Sequence, residues 1–347
     1  MRILIATDAW HPQINGVVHT LDELARAAPA LGASIAFLTP DGLPTLPLPT
    51  YPGLRLAVAR PRAIARQIVD LRPTAIHIAT EGPLGLLVRR YCLANGLAFS
   101  TSFHTRFPEY VAARTPIPES WTWAALRWFH GAAGGVMAAT PALEAELIRR
   151  GFAHVMAWPR GVDATLFRPR PGADLGLPRP VFLTVGRVAV EKNIEAFLAL
   201  DLPGTKVVVG DGPLRPDLAR RFPDAVFLGT LRGEELACAY AAADVFVFPS
   251  RTDTYGLVLL EALASGVPAA AYPVSGPRDV LGGAPVGALD ADLRAACLKA
   301  LTLSREDCRT FAVERSWDTS ARIFLANVRR VALTAAVAAG DTREAVA

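Results

Sequence analysis

Short apolar runs alternate with longer helix-like segments along almost the whole chain, and this alternation restricts the possible folds more than any other feature. In the first half, five runs are typical of buried strands: 2-RILIA-6, 34-SIAFL-38, 75-AIHIA-79, 98-AFSTSF-103 and 135-GVMAA-139. A helical or loop segment separates each run from the next. This order predicts an α/β domain in which crossover helices connect the strands of a parallel sheet.

A second series of strands begins after 168-RPRPGADLGLPRP-180, a Pro- and Gly-rich stretch that is typical of a linker. Its apolar runs are 181-VFLTVG-186, 206-KVVVG-210, 225-AVFLG-229, 245-VFVFP-249 and 269-AAAYPV-274. Two Rossmann-like halves that face one another are the simplest interpretation. Ligands of such folds bind outside the carboxyl ends of the strands, so we expect functional residues directly after strands.

The composition fits a globular protein of about two domains. The chain has 347 residues, of which 52% are hydrophobic and 20% charged, and so it can bury a large core. Its net charge of +4 comes from 36 basic and 32 acidic residues mixed along the chain, which indicates at most a weak attraction to anionic partners. We expect no nucleic acid partner.

The cysteines and the N-terminus indicate a cytoplasmic protein. Cys92, Cys238, Cys297 and Cys308 lie far apart, which favours neither a zinc site nor a disulfide framework. The opening MRILIATDAW lacks the pattern of a signal peptide, and no run of about 18 apolar residues predicts a transmembrane helix. Any membrane contact would be peripheral, on the inner face of the membrane.

Two cations follow the first strand of the second series, in 186-GRVAVEKN-193. Gly186 permits a close backbone approach, and Arg187 and Lys192 lie at the carboxyl end of a strand near a helix start. Such an arrangement suits a diphosphate. The alternative is a solvated loop with two surface charges. The turn 210-GDGP-213 after the next strand is common in every kind of protein and discriminates little.

Two carboxylates, Asp253 and Glu261, flank the apolar start of a predicted helix at 257–266. The amides that follow Gly256 and the helix dipole could hold a phosphate, and Glu261 could accept two hydrogen bonds from a ribose. The alternative is that Asp253 caps the helix and that Glu261 is simply an acid near its N-terminus.

Together these motifs resemble the retaining GT-B glycosyltransferases of glycosyltransferase family 4 (group 1). The resemblance rests on GRVAVEKN, VVVGDGP, FLGTL, ADVFVFPSRTDTYGLVLLEALASGVP and 101-TSFHT-105, and it covers nearly the whole chain. It implies an acceptor-binding domain at 1–168, a linker at 169–180, a nucleotide-sugar-binding domain at 181–315 and a helix at 316–340 that crosses back to the first domain.

The resemblance gives roles to particular residues. Asp253 is similar to the residue that meets the hydroxyls of the donor sugar, and Glu261 to the one that binds the nucleotide ribose. Asp253 stands where the family usually has Glu, which puts the donor preference more in doubt than the reaction type. Arg187 and Lys192 resemble the pair that neutralises the diphosphate. The implied donor-binding set also contains Gly186, Asp211, Tyr255, Gly256, Leu257 and Val258.

Two implied site residues belong to the first half. Gly16, in 13-QINGVV-18, resembles the loop glycine whose backbone amide touches the donor phosphate. His104, in SFHT, resembles the histidine near the C6 hydroxyl of the sugar and the reacting centre, although a lone histidine after a strand is more often structural. The implied catalytic set is His104, Arg187, Lys192 and Asp253.

The resemblance also implies a mechanism. Retention would proceed through a front-face reaction with an oxocarbenium-like transition state, in which a phosphate oxygen helps to take the proton of the acceptor. The sequence suggests no protein nucleophile. It shows no DxD-type metal dyad or histidine cluster in a suitable loop, so neither a metal nor a cofactor is expected beyond the nucleotide sugar as co-substrate.

The sequence says less about the acceptor. The feature that bears on it is the Trp-rich segment 116-PIPESWTWAALRWFHGAAG-134. Its aromatic residues beside Arg127 could form a surface that meets a lipid bilayer, or the segment could be an ordinary amphipathic helix that faces the core. FHTRFPEYV before this helix also resembles the branch of the family that glycosylates lipids, including diacylglycerol. The candidate donors are UDP-glucuronate, UDP-hexose and GDP-mannose.

Arg106 carries a narrower hypothesis, because it lies two residues after His104. Its guanidinium could fork onto a carboxylate or sulfonate at C6 of the donor sugar. The alternative is a surface charge or one on the acceptor side.

Other classes of protein remain open. A non-enzymatic nucleotide-sugar sensor could keep the diphosphate and ribose residues, a sugar-nucleotide epimerase could share the architecture, and the acceptor could be a soluble saccharide. A dehydrogenase is disfavoured, because 7-TDAWHPQINGVV-18 replaces the GxGxxG fingerprint. The sequence does not determine the oligomeric state.

Overall fold

A computed structural model describes residues 1–13, 15–48, 51–112, 115–253 and 255–338. The chain divides into two compact units. Unit 1 contains Met1–Pro159 together with the chain from Asp318 onward, and unit 2 contains Arg160–Trp317. Residues 160–180, which the sequence interpretation placed in the first domain and the linker, therefore cluster with unit 2. One physical reason is that the Val162 amide donates a hydrogen bond of 2.9 Å to Arg315 O.

Unit 1 is built on a parallel sheet. Its strands are β1 (Arg2–Ala6), β2 (Ser34–Leu38), β3 (Thr45–Leu48), β4 (Tyr51–Ala57), β5 (Ala75–Ile78), β6 (Ser100–Ser102), β7 (Gly135–Ala138) and β8 (Val155–Ala157). The main sheet has the order β2-β1-β5-β6-β7-β8, and its strands pair in parallel. β3 and β4 form a separate antiparallel hairpin. The predicted parallel sheet of the first half is confirmed.

The helices of unit 1 connect these strands. They are α1 (Gly16–Ala27), α2 (Pro61–Leu71), α3 (Pro83–Ala94), α4 (Phe107–Ala112), α5 (Glu119–His130) and α6 (Pro141–Arg149). Parallel neighbours need such crossovers, because the chain must return to the same end of the sheet before each new strand.

Unit 2 repeats the architecture. Its strands are β9 (Val181–Val185), β10 (Thr205–Val209), β11 (Val226–Gly229), β12 (Val245–Phe248), β13 (Ala269–Ala271) and β14 (Gly287–Leu289). Its helices are α7 (Ile194–Leu198), α8 (Arg215–Arg221), α9 (Gly233–Ala242), α10 (Leu257–Ala264), α11 (Ser275–Leu281), α12 (Leu293–Ala300) and α13 (Arg305–Val313). The strands pair in parallel in the order β11-β10-β9-β12-β13-β14, so the order reverses between β9 and β12.

The central strand β12 of unit 2 is apolar throughout because it is buried on both faces of the sheet. In β12, Val245 and Val247 pack into one core cluster, whereas Phe246 and Phe248 pack into another. Successive side chains of a strand point to opposite faces, so a strand that is buried on both sides needs a continuous apolar run. This is the pattern that the sequence shows.

The last helix, α14 (Trp317–Ala338), packs into unit 1. Phe324 and Val328 belong to the same buried cluster as Ile3 and Ile5 of β1. This confirms the predicted helix that crosses back to the first domain; residues 339–340 of its predicted range lie outside the described residues. Among the helices that the structure describes, none is both long and apolar enough to span a membrane.

Four of the described strands were not predicted from the sequence: β3, β4, β8 and β14. The β3 run contains Pro47, a residue that is disfavoured inside a sheet, whereas β8 and β14 are three-residue strands at the sheet edges. Such short runs carry too little periodicity to be recognised.

Candidate functional site

A pocket lies at the carboxyl ends of β9 and β12, where the strand order of unit 2 reverses. Its lining residues come from the ends of these strands, from the loop after β9 and from the start of α7: Thr184, Val185, Gly186, Lys192, Ile194, Phe248, Pro249 and Ser250. Open parallel sheets bind ligands at such a reversal, because the crossover helices on its two sides diverge and leave a crevice. Gly186 and Lys192 were predicted site residues, and the structure places both in this pocket.

Backbone hydrogen bonds attach the loop after β9 to the turn after β10. The Gly186 amide donates to Val209 O at 2.9 Å, the Val188 amide to Asp211 O at 2.9 Å, and the Leu214 amide to Val188 O at 3.1 Å. The turn 210–213 therefore holds the segment that carries Arg187. Its sequence alone indicated only a common turn.

Two glycines make this attachment possible. A Cβ atom at Gly210, where φ is 136°, would lie 1.9 Å from Gly186 O, and one at Gly212 would lie 2.4 Å from Val188 O. Real Cβ atoms do not approach an oxygen so closely. The GDG sequence is thus required by the close packing of two loops, a role that was not predicted.

Lys192 and Asp253 form an ion pair beside the pocket. Lys192 Nζ donates a hydrogen bond of 2.6 Å to Asp253 Oδ1. The second oxygen, Asp253 Oδ2, is buried and accepts no hydrogen bond from the residues that the structure describes. Asp253 therefore does not serve as the cap of α10, which was one of the two sequence interpretations.

Further hydrogen bonds join the loop after β9 to the end of β12. Asn193 Nδ2 donates to Pro249 O at 3.1 Å, and Ser250 Oγ donates to Glu191 O at 3.2 Å. Together with the ion pair, these bonds hold the 186–193 segment against the carboxyl end of β12. Arg187 is half-buried in this segment.

The helix α10 begins directly after the loop that carries Asp253. Gly256 is its N-cap with φ of 86°, a left-handed conformation that favours glycine, and in the described part of the chain no side chain caps the helix. Leu257 and Val258 are the first two helical residues and are half-buried. The first amides of α10 therefore have no side-chain acceptor there, as an anion site at a helix N-terminus requires.

Glu261 lies on the buried side of α10, with 8% of its surface exposed. Tyr240 of α9 donates a hydrogen bond of 2.8 Å from its phenol to Glu261 Oε2. Burial and the neighbouring Glu261 carboxylate raise the pKa of Tyr240 well above its usual value, so the phenol stays protonated. The sequence interpretation missed Tyr240; its signal was a tyrosine within an otherwise small-residue helix, 234-EELACAYAAA-243.

Tyr255 and Asp211, two predicted donor-binding residues, are not among the residues that line the pocket. The Tyr255 phenol donates to Arg160 O at 3.3 Å, and burial raises its pKa. Asp211 is exposed; its carboxylate accepts from its own turn at Gly212 N, at 2.7 Å, and from Arg215 at 3.0 Å. Asp211 therefore stabilises the turn after β10 as well as being a donor-site candidate.

His104 belongs to unit 1, two residues after β6. Its ring packs edge-on against Trp158, with the ring centroids 5.7 Å apart. The preceding strand is held by buried His77, whose two ring nitrogens lie 2.8 Å from Ser100 Oγ and 2.8 Å from Ser102 Oγ. A satisfied buried network thus fixes the backbone from which His104 projects.

Gly16 is the first residue of α1, and the interpretation of it as a loop glycine was wrong in that respect. The reason is Asn15, whose Oδ1 accepts hydrogen bonds of 3.0 Å from the Val17 and Val18 amides. Asn15 is therefore the N-cap, and the helix begins at Gly16. An asparagine N-cap commonly begins a helix in this way.

Arg106 is engaged within unit 1 by two carboxylates. Its guanidinium forms ion pairs with Glu109 and Glu146, and its side chain is 16% exposed. Burial opposes the charge, but the two carboxylates prevail and raise the pKa of Arg106 above its usual value. These contacts favour a structural role over a fork onto a donor carboxylate.

The Trp-rich helix α5 faces two ways. Trp123 is 2% exposed and stacks on Phe103 with the ring centroids 5.7 Å apart, which agrees with a core-facing helix. Trp121 and Trp128 are 71% and 60% exposed, which agrees with an interaction surface. Each of the two sequence interpretations therefore describes one face.

Across the described ranges, no group of three or more His, Cys, Asp or Glu side chains is arranged to hold a metal ion.

Comparison with protein families gives two matches. Residues 14–166 match the model of "Glycosyltransferase Family 4", and residues 179–302 match the model of "Glycosyl transferases group 1". The first match covers most of unit 1, and the second contains β9 to β14 with the pocket. The two matches together cover the greater part of both units.

Curated relatives agree with these matches. A GDP-mannose-dependent alpha-mannosyltransferase of Mycolicibacterium smegmatis is 31% identical over 312 residues, which are 81% of this chain and 82% of the relative. A sulfoquinovosyl transferase of Arabidopsis thaliana is 33% identical over 260 residues, which are 69% of this chain but 50% of the relative. An alpha-monoglucosyldiacylglycerol synthase of Streptococcus pneumoniae is 27% identical and covers 97% of this chain and 86% of the relative.

Solved structures show the same fold. Sucrose-phosphate synthase of Thermosynechococcus elongatus superposes with a TM-score of 0.79 at 21% identity and covers 96% of this chain and 99% of that one. Anabaena HepE in complex with UDP and glucose superposes with a TM-score of 0.71 at 14% identity and covers 95% and 100%. This chain therefore belongs to glycosyltransferase family 4, and it is a GT-B glycosyltransferase that uses a nucleotide sugar.

Proposed function

We propose that the protein is a retaining glycosyltransferase that transfers a hexosyl-type sugar from a nucleotide diphosphate sugar to a hydroxyl of a membrane glycolipid acceptor such as diacylglycerol. The observation that carries the proposal is the Lys192–Asp253 pair at 2.6 Å beside the pocket. It brings a cation for the diphosphate and a carboxylate for the sugar to one place.

In this proposal Arg187, Lys192 and the first amides of α10 stabilise the diphosphate. Negative charge develops on the leaving diphosphate as the glycosidic bond breaks, and donors that are already in place lower the cost of that charge. Lys192 is held by Asp253, and Arg187 lies on the loop that the 210–213 turn fixes. Both cations therefore need little rearrangement. The proposal includes no resident metal or cofactor.

The proposed roles of the two carboxylates follow from their surroundings. Asp253 Oδ2 is buried without a hydrogen bond from the described residues, which suits an acceptor for sugar hydroxyls. Glu261 lies one turn after the start of α10 and would accept hydrogen bonds from the hydroxyls of the nucleotide ribose. Both acids hold neutral hydroxyls and position the donor, so neither acts on the charged diphosphate.

The proposed reaction keeps the anomeric configuration by a front-face route. The acceptor oxygen attacks the anomeric carbon on the face that the diphosphate leaves, and a phosphate oxygen takes the proton of the acceptor. The new glycosidic bond thus replaces the bond to the diphosphate, which leaves as a nucleoside diphosphate. His104 and the Gly16 amide are proposed to contact the donor from unit 1.

An exposed apolar stripe supports a lipid acceptor. Trp121, Ala124, Ala125 and Trp128 are exposed on α5 at the spacing of one helix face. Arg89 stacks on the Trp128 ring, with its Cζ 4.1 Å from the ring centroid, and fixes the orientation of that indole. Exposed tryptophans beside arginines suit the headgroup region of a bilayer, because the rings are amphipathic.

The relatives support particular donors and acceptors. One is named as a diacylglycerol glycolipid synthase, which favours a lipid acceptor, and another as GDP-mannose-dependent, which favours GDP-mannose. UDP-hexose remains a candidate. UDP-glucuronate is less supported, because Glu109 and Glu146 already engage the guanidinium of Arg106.

Product analysis tests the proposal. The protein is incubated with diacylglycerol liposomes and, separately, with UDP-glucose, UDP-galactose, UDP-glucuronate or GDP-mannose, and the lipids are analysed by mass spectrometry. We expect one donor to yield a glycosylated lipid that His104→Ala and Glu261→Ala do not form. Glu235→Ala is the matched control, an exposed acid on α9 whose loss should leave the yield unchanged.

The outcomes separate the parts of the proposal. Nucleotide release that depends on Glu261 without a lipid product would contradict the lipid acceptor and direct the search to soluble saccharides. No turnover of any donor with either kind of acceptor would contradict the donor assignment.

The membrane contact is tested by sedimentation with phosphatidylglycerol-containing vesicles. Trp121→Ser combined with Trp128→Ser should lower the bound fraction, whereas Val313→Ser, which changes a 41% exposed residue of unit 2, should not. Equal binding by all three proteins would contradict a docking role for α5.

A further inference from the structure

The Glu261 carboxylate and the Tyr240 phenol form a buried pair between α9 and α10. Tyr240 is 0% exposed and Glu261 is 8% exposed, and the phenol oxygen lies 2.8 Å from Glu261 Oε2. A carboxylate that is removed from water needs such a donor, because an unpaired buried charge is strongly destabilising. The bond therefore restricts where the carboxylate can point.

The phenol itself is held rigidly. Its ring packs edge-on against Phe167, with the centroids 5.6 Å apart, and in a tilted arrangement against Phe246, with the centroids 5.7 Å apart. A ring that is fixed by two aromatic neighbours and has no exposed surface cannot follow a moving carboxylate. Tyr240 thus acts as a fixed point that determines the position of one carboxylate oxygen.

The backbone of Glu261 is held by a different group. Ser265 Oγ donates a hydrogen bond of 3.0 Å to the main-chain oxygen of Glu261. The position of the backbone therefore depends on α10 and Ser265, whereas the direction of the carboxylate depends on Tyr240. The two contributions can be removed separately.

We infer that Tyr240 is a positioning residue for ribose recognition: it holds Glu261 Oε2 so that the carboxylate is directed towards the two ribose hydroxyls of the donor. A carboxylate has about four lone-pair sites, so accepting a bond from the phenol is compatible with accepting from ribose hydroxyls. Tyr240 touches no substrate in this arrangement. The inference rests on the proposed role of Glu261 in the donor site.

The test compares ribonucleotides with deoxyribonucleotides. Calorimetry measures the Kd of UDP and GDP and of their 2′-deoxy and 3′-deoxy counterparts, for the wild type and for Tyr240→Phe. We expect the wild type to prefer the ribonucleotide by about tenfold, the usual size of a hydrogen bond to a charged group. Tyr240→Phe should lose most of this preference by weakening only ribonucleotide binding. Its KM for the donor should rise more than its kcat falls.

Ser265→Ala is the matched control, since it removes a buried hydroxyl that bonds to the same residue through the main chain. It should keep the preference for ribose even if it lowers the melting temperature. A merely structural role of Tyr240 would weaken ribo- and deoxyribonucleotides equally, as an effect on overall folding does. That result would overturn the inference.

A double-mutant cycle with Glu261→Gln covers the case in which Tyr240→Phe folds poorly. Gln removes the buried charge that the missing phenol would leave unpaired, so Tyr240→Phe/Glu261→Gln should be the better-folded protein. If Tyr240 acts through Glu261, adding Tyr240→Phe to Glu261→Gln should change the ribose preference no further. Independent, additive effects of the two changes would overturn the inference.

The same data separate the inference from the proposed function. If Glu261→Gln lowers the ribose preference and Tyr240→Phe does not, Glu261 keeps its proposed role and the inference about Tyr240 fails. If the wild type binds UDP or GDP without preference for ribose, or binds neither, the proposed role of Glu261 fails and the inference fails with it.

Discussion

Lys192 Nζ lies 2.6 Å from Asp253 Oδ1, and this ion pair joins the loop after β9 to the loop after β12. The two side chains are 30% and 15% exposed, so water screens the pair only in part. An ammonium group has three donors, and Lys192 can therefore bind a phosphate oxygen while it keeps Asp253 in place. The pair also places a negative charge next to the proposed diphosphate site, which opposes binding of the diphosphate.

Asp253→Asn should separate nucleotide binding from turnover. The change removes the negative charge at almost constant size, so UDP or GDP should bind as tightly as to the wild type or a few times more tightly. Turnover of the nucleotide sugar should fall by about 10- to 100-fold, the loss expected for charge-assisted hydrogen bonds to the sugar. Calorimetry and initial rates measure the two effects. Losses of similar size in nucleotide affinity and in turnover would contradict the role assigned to Asp253. Asp253→Glu, which keeps the carboxylate, is the conservative control.

Gly210→Ala should disturb the loop that carries Arg187. The added Cβ would meet Gly186 O at 1.9 Å, so the two loops must separate. We expect a loss of stability of about 2–4 kcal/mol, the sum of backbone strain and lost packing, and weaker binding of the nucleoside diphosphate. Denaturant unfolding and calorimetry check the two effects.

Gly283→Ala is the control for this change. Gly283 also has a positive φ, 77°, but its added Cβ would meet nothing within 4 Å. This variant should lose about 1 kcal/mol from backbone strain alone and should keep normal nucleotide binding. Equal effects of the two variants on nucleotide binding would show that the contact between the loops is unimportant.

Phe324→Ala should show that α14 is an integral part of unit 1. Phe324 is fully buried, with its ring centroid 4.7 Å from that of Trp158 and 4.9 Å from that of His77. Truncation of such a ring costs about 3–5 kcal/mol. Thermal or denaturant unfolding measures the loss, and Leu333→Ala on the same helix, where Leu333 is 37% exposed, should change stability by less than about 1 kcal/mol. A similar small loss for both variants would contradict the packing of α14.

Thiol labelling of the native protein should modify Cys238 first. Burial raises the pKa of the Cys92, Cys297 and Cys308 thiols to about 12, so almost none of these groups is thiolate at pH 8. Cys238 is exposed on α9. A maleimide should therefore label one site per chain quickly, and Cys238→Ser should abolish the fast reaction. Raising the pH towards 11 should speed the slow sites more than the fast one. Two or more fast sites would contradict the burial of the other thiols.

Much of the fold and half of the site could be predicted from the sequence. All strands of the two parallel sheets except the edge strands β8 and β14 were recognised from the sequence, and functional residues were expected after β9 and β12, where Gly186 and Lys192 line the pocket. Local patterns suffice here, because strands that are buried on both faces are mostly apolar and because functional residues follow strands.

Contacts between distant segments could not be predicted in this way. Tyr240 and Glu261 are 21 residues apart in the sequence, and Arg106 and Glu146 are 40 residues apart. No local pattern predicts either contact. The two faces of α5 also became distinguishable only when Phe103 packed against Trp123 and left Trp121 exposed.

The two parallel sheets, the family resemblance and the segments that carry the site could be recognised from the order of residues along the chain. The folded structure was needed to see that the GDG turn holds the Arg187 loop, that Asp253 pairs with Lys192, and that the buried Tyr240 phenol donates to Glu261. The difference comes from the range of the forces involved. Hydrophobic periodicity is a property of neighbours along the chain, whereas hydrogen bonds and steric contacts act over a few ångströms and depend on which segments meet in space.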